Sequence, residues 1–254
     1  MFTLVVQPCL TAPFSQKRLN GGWTPWNRAQ GAFFHIPSKD KETVMPESAP
    51  KNLLVVGAGG IGTQLVELLV AGLRRVSLAG SVTLMDADIV EEGNLGHQKY
   101  SRDDIGEPKV TCLANRLDDE TSALRVRGLV ENLRTADQLQ NADLVMVCVD
   151  RPEPRRLVHG LDVPWMDVRC SGDGWLVLSS QSPPSLLERM TPDHEPASCQ
   201  VEGALEAGNL EFGFAVAAAI GAQWALQQWR GKPSPVQSMG SITYGALGFP
   251  EVSA

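Results

Sequence analysis

No two cysteines in the 254-residue chain stand at C-x-x-C spacing, and their total is odd: Cys9, Cys112, Cys148, Cys170 and Cys199. That argues against a disulfide framework and against a four-cysteine zinc site, so no structural zinc is predicted. Free thiols in a reducing compartment are the simpler reading. A basic excess is also missing. Lys and Arg number 22 against 29 Asp and Glu, a net charge of -7, and a nucleic-acid partner is disfavoured on that balance. A local basic pocket for phosphates stays open, because net charge says nothing about distribution. Long apolar runs are absent too. The stretch Phe212 to Leu226 is interrupted by Gly and Gln and falls short of the ~20 residues a membrane span needs. The N-terminal MFTLVVQPCL has no basic flank and breaks at Pro8, so it does not read as a signal peptide. A cytoplasmic protein with no membrane partner is expected.

What is present is regular and starts late. Residues 1–50 scatter Pro, Gly, Trp and Asn without period and end in a polar linker, KDKETVMPESAP. An irregular extension (1–50) followed by one domain (51–254) is the predicted organisation. Leu53 to Val56 reads as a strand buried on both faces. Ile61 to Leu73 has helical spacing, with Ile61, Leu65, Leu68, Leu69 and Leu73 on one face. Further strands are predicted at Val82–Met85, Leu124–Val130, Asp143–Val149, Val163–Val168 and Trp175–Ser179, with a helix at Pro108–Leu117. Ser180 to Gly203 reads as a long loop. Leu205 to Trp229 reads as a helix with Phe212, Val216, Ile220 and Trp224 aligned, and Ser241 to Tyr244 as a last short strand. Strand–helix alternation of this kind implies an α/β fold: a Rossmann-like, doubly wound, mostly parallel sheet with helices on both faces.

Gly57-Ala58-Gly59-Gly60-Ile61-Gly62 matches G-x-G-x-x-G between a predicted strand and a predicted helix, the context that motif requires. Absent side chains let backbone N–H groups approach a phosphate, and the helix N-terminus adds partial positive charge. Lys51 to about Asp150 is therefore read as a unit that binds a dinucleotide or ATP. At the end of the next strand, Asp86 and Asp88 are candidates for ribose hydroxyls, although Gly62 to Asp86 is long for an NAD fingerprint.

The following residues separate the two cofactors. Asp86-Ala-Asp88-Ile-Val-Glu-Glu-Gly-Asn94-Leu-Gly-His97-Gln98, then Asp104-Ile-Gly106-Glu-Pro-Lys109, resembles the ubiquitin-activating-enzyme-like adenylyltransferases, the family of ThiF, MoeB and HesA, whose pattern is D-x-D-x-[IV]-x-x-x-N-L-x-R-Q and D-I-G-x-x-K. Val147-Cys148-Val149-Asp150 with Arg155 resembles that family's strand ending in Asp-Asn-x-x-x-Arg. The resemblance covers about Asn52 to Arg230. It implies ATP and Mg²⁺ as cofactors and a homodimer that adenylates a carboxylate, such as the C-terminus of a peptide or small ubiquitin-like protein. It also implies roles: Gly57, Gly59, Gly60 and Gly62 cradling ATP, Asp86 and Asp88 at the ribose, Asn94 and Gln98 at the phosphates, Lys109 on the phosphates and Asp150 on Mg²⁺.

Two departures stand out. His97 replaces the arginine of N-L-x-R-Q, exchanging a permanent forked cation for a near-neutral ring. Arg151 follows Asp150 where the family has Asn. In the N-terminal extension, Arg28 is a faint echo of an arginine that family dimers lend to a partner's site. Cys199 lies on the segment before the last helix, where some relatives carry a thioester- or persulfide-forming thiol. Cys170 is the next candidate, while Cys112 and Cys148 look like core residues. Two other readings remain open: an NAD-dependent oxidoreductase using the glycine loop and Asp86, and a nucleotide-binding scaffold or pseudoenzyme dimer, for which His97 speaks.

Overall fold

The computed structural model describes residues 49, 51–193, 199–201, 203–204 and 207–250. Most of the expected extension over residues 1–50, Arg28 within it, and Leu205 further on lie outside those residues. Five parallel strands come first in chain order: β1 (Lys51–Val56), β2 (Gly80–Met85), β3 (Leu124–Leu129), β4 (Leu144–Val147) and β5 (Trp165–Ser171). Three antiparallel strands follow, β6 (Gly174–Ser179), β7 (Gln237–Ser241) and β8 (Gly245–Ala246). Among the described residues they form one sheet in the order β3-β2-β1-β4-β5-β6-β7-β8.

The run Leu-Leu-Val-Val in β1 explains why this strand is central. Leu53 and Val55 enter one core and Leu54 and Val56 another, all at 5% exposure or less. A strand apolar on both faces needs helices on both. On one side lie α1 (Gly60–Arg75), α2 (Lys109–Leu117) and α5 (Gly213–Trp229). On the other lie α3 (Pro152–His159), the 3₁₀ turn Ala136–Leu139, and Leu187 of α4 (Pro184–Met190).

The helices start where sequence chemistry allows. Pro108 caps α2 and Pro152 opens α3, positions at which the missing N–H costs nothing. Two helical faces differ from expectation. In α1 the buried stripe is turned toward Gly62, Val66 and Val70, and Leu68 is 51% exposed. In α5 the buried residues are Gly213, Phe214, Ala217, Ala218, Gly221, Ala222, Trp224, Ala225 and Trp229; of the expected face Trp224 is buried, while Phe212 is exposed just before the helix. Steric fit rather than apolarity selects that face. A Cβ on Gly221 would stand 2.8 Å from Leu65 Cδ1 and 3.0 Å from Met146 Cε, so only small residues allow α5 this close to α1 and the sheet.

Three further expectations are corrected. The proline-rich stretch read as a loop contains α4, because Pro183 and Pro184 occupy cap and first-turn positions, where they start a helix rather than break one. The last long helix begins at Gly213, not Leu205. Residues 242–244 form the turn of the β7–β8 hairpin rather than a strand.

Candidate functional site

After β1 the chain moves to β2 and β3 on one side. After β4 it moves to β5 on the other. β1 and β4 are neighbours, so their C-terminal ends mark the switch point of the sheet, where open α/β folds form a crevice. A cavity of about 930 Å³ opens there. The segments after β1, β2, β3 and β4, the start of α3, and Cys170 and Cys199 line it.

The glycine loop is shaped by backbone crowding. Gly57 has φ +100°, and a Cβ there would fall 2.9 Å from the Cys148 carbonyl oxygen. Only glycine lets the loop cross the end of β4 so closely. A Cβ on Gly62 would lie 2.0 Å from the Gly57 oxygen. Gly62 therefore seats α1 on the loop, and it does not line the cavity, whereas Gly57, Gly59 and Gly60 do. Gly59 caps α1 without a side-chain hydrogen bond, and the first turn holds no acid. The helix N-terminus is thus left able to receive an anion.

Asp86 braces this loop. One carboxylate oxygen accepts the Ala58 N–H at 2.6 Å and the other the Asp88 N–H at 2.9 Å. Burial outweighs these bonds and raises its pKa. Each oxygen keeps a lone pair for a ribose hydroxyl. Lys109 is 6% exposed, and its ammonium donates to Asp88 Oδ2 at 3.1 Å inside the cavity wall. At the end of β4, Asp150 is exposed and lines the cavity, with Glu153 one turn of chain further on. Among the described residues no cluster of three or more His, Cys, Asp or Glu is arranged around a metal ion. A Mg²⁺ held by one or two carboxylates plus substrate phosphates does not require one, and Asp150 fits that need.

His97 and Gln98 line the cavity as well. His97 is 7% exposed, and burial, reinforced by the Lys109 charge, lowers its pKa. It is neutral at pH 7 in this setting, so it supplies no substitute for a guanidinium. His97 Nδ1 and Gln98 Oε1 are buried without a hydrogen-bond partner. Asn94 stands apart. Its side chain accepts the Glu91 N–H at 2.9 Å, closing the 3₁₀ turn Glu92–Asn94, and it is not part of the lining.

Three thiols face the cavity: Cys148, Cys170 and Cys199. Cys148 also packs against the core, as expected, but its place in the lining was not legible. Burial pushes its pKa up. The Cys170 thiol donates to the Cys199 carbonyl at 4.0 Å, and the closeness of the two thiols holds Cys199 below the usual thiol range and Cys170 above it. The Ile61 N–H at the start of α1 also favours the Cys199 thiolate. A Cβ on Gly60 would sit 3.8 Å from the Cys199 sulfur. The thiol therefore stands beside the anion-binding end of the helix.

Sequence reading missed two parts of this site. The loop after β3, Glu131 to Arg134, lines the cavity with no motif to announce it. Beneath the floor, Asp167 is fully buried in β5 and gathers Arg155, His159 and Arg169. His159 approaches at 2.9 Å and Arg169 at 2.5 Å. Arg155 also donates to the Val149 carbonyl, next to Asp150. Arg169 donates to Met190 O and, at 2.7 Å, to Thr191 Oγ1. A carboxylate in the middle of the apolar run Trp-Met-Asp-Val was the available signal.

The ThiF family pattern matches residues 47–247. The adenylyltransferase and sulfurtransferase UBA4 of Yarrowia lipolytica is 32% identical over 113 residues, 43% of this chain and 27% of the relative. The sulfur carrier protein adenylyltransferase of Thermus thermophilus is 30% identical over 131 residues, 47% of this chain and 46% of the relative. Among solved structures, E. coli MccB with ATP superposes with a TM-score of 0.57 at 19% identity, covering 80% of this chain and 64% of MccB. That likeness establishes the fold. The match thus spans less than half of these curated relatives and under two thirds of MccB.

Proposed function

The chain belongs to the ThiF family, and from that premise we propose that it activates a carboxylate as an acyl-adenylate, using ATP and Mg²⁺ and releasing pyrophosphate. One observation carries the reading: Lys109, Asp150 and the uncapped glycine-loop end of α1 converge on a single cavity. Attack of a carboxylate oxygen on the α-phosphorus builds negative charge on phosphate oxygens. A buried ammonium and backbone N–H groups fixed in advance offset that charge without reorganising. Asp150 would hold Mg²⁺, which neutralises phosphate charge when bound. Asp86 and Asp88 would take the ribose, and Gln98 would offer its side-chain amide near the phosphates.

The substrate we propose is the C-terminus of a peptide or a small ubiquitin-like protein. Support comes from relatives whose names include a sulfur carrier protein adenylyltransferase and a SAMP-activating enzyme E1, and from an MccB structure solved with MccA-N7isoASN. Cys199 would then attack the acyl carbonyl, forming a thioester as AMP leaves with the carboxyl oxygen it gained. Its place beside Gly60 and Ile61 supports this step. The neutral His97 favours one other reading, a nucleotide-binding scaffold without turnover.

Titration calorimetry with Mg-ATP and with NAD tests the nucleotide assignment. Mg-ATP should bind and NAD should not compete for it. Tighter binding of NAD than of ATP would return the site to oxidoreductase chemistry.

A further inference from the structure

The cavity carries more negative than positive charge. Asp86, Asp88, Asp150, Glu131 and Glu153 line it, against Lys109, Arg134 and Arg151. A nucleoside triphosphate brings about four more negative charges at neutral pH, so its tail needs cations that are not already committed. Lys109 is committed in part, since Asp88 holds its ammonium. Burial, with the Lys109 charge, lowers the pKa of His97 and disfavours its cationic form.

The nearby arginines divide into two sets. Arg155 and Arg169 are tied to Asp167, and Arg156 to Asp193 at 2.7 Å and to the Thr191 carbonyl at 3.0 Å. Arg134 and Arg151 line the cavity and are exposed, and their guanidinium groups engage no partner among the described residues, although the Arg134 backbone N–H donates to Gln138 Oε1 at 2.8 Å. Their elements adjoin. The loop carrying Arg134 continues into the 3₁₀ turn Ala136–Leu139, which packs with Val158 of α3, and Arg151 caps α3. Arg151 also directly follows Asp150, the residue that would hold Mg²⁺, and both line the cavity.

We propose that Arg134 and Arg151 form a guanidinium clamp on the β- and γ-phosphates of the bound triphosphate. The clamp rests on the nucleotide reading of the cavity. It acts on the pyrophosphate leaving group, because the α-phosphate is served by the glycine loop and Lys109. Guanidinium forks match phosphate oxygens in pairs, which an ammonium cannot do.

Binding of ATP and of AMP, each with Mg²⁺, to wild type and to the Arg134→Ala/Arg151→Ala double variant tests it. Both residues are exposed, so the fold tolerates the change. The double variant should bind ATP at least tenfold more weakly and AMP within twofold of wild type. Arg151→Lys should recover part of the loss. Equal weakening of ATP and AMP, or unchanged ATP binding, overturns the clamp while the nucleotide site stands. A wild-type protein that binds neither nucleotide overturns the site and the clamp together.

Discussion

Asp167→Asn is expected to destabilise the fold by about 3–5 kcal/mol, the cost of leaving buried charges without their partner. Asp167 is wholly buried, and the guanidiniums of Arg155 and Arg169 are nearly so. Asparagine keeps the volume and loses the charge, so the effect isolates electrostatics from packing. Domains have only about 5–15 kcal/mol in total. A fall in melting temperature of about 6–20 °C follows for a domain of this size. A loss below about 1 kcal/mol would mean that the arginines find water or other partners. The same carboxylate sets an acid limit. Burial alone would raise its pKa, but the Arg155 charge, the His159 hydrogen bond and Arg169 outweigh burial and hold it below the ordinary 3.8 in the folded protein. A depressed carboxylate stabilises fully above its unfolded pKa and loses that contribution as pH falls beneath it. Wild type should therefore lose stability more steeply than Asp167→Asn below about pH 4. Melts at pH 7 and at pH 3 measure both effects.

Lys109→Met should slow adenylation by about 10²–10³-fold, equivalent to removing one preorganised group that meets developing charge. Methionine keeps the buried stem of a residue that is 6% exposed, so the fold should be preserved. The competing account is that Lys109 serves only Asp88, at 3.1 Å. In that case Asp88→Asn should match Lys109→Met, and both should stay within a few-fold of wild type. The phosphate account instead predicts a far larger loss for Lys109→Met. Rates of pyrophosphate release by the two variants separate the accounts.

The parts of the fold that were legible in the sequence are those written in local chemistry. β1 announced itself because four apolar residues in a row cannot alternate, and the glycine loop because Gly57 must cross β4 with positive φ. Asp86, Lys109 and Asp150 lie far apart in the chain, yet each ends or opens an element at the same edge of the sheet, so naming the elements gathered them. The misreadings have physical causes. Leu68 and Phe212 are large and apolar, but α5 packs through Ala217, Ala218 and Gly221, and closeness of approach decided the faces. The loop with Arg134 carries no periodicity, so its arrival at the cavity depended on how the 3₁₀ turn after it packs on α3. Asp167 was hidden because its partners Arg155, His159 and Arg169 come from two elements and meet only in the folded chain.

The most direct test of the central claim is ATP–pyrophosphate exchange with Mg²⁺ and peptides bearing a free C-terminal carboxylate, in wild type and Asp150→Ala. Labelled pyrophosphate should enter ATP only when peptide and Mg²⁺ are both present, and the Asp150→Ala variant should lose that exchange. Exchange that survives in Asp150→Ala, or a wild-type protein that binds no ATP, would contradict the account.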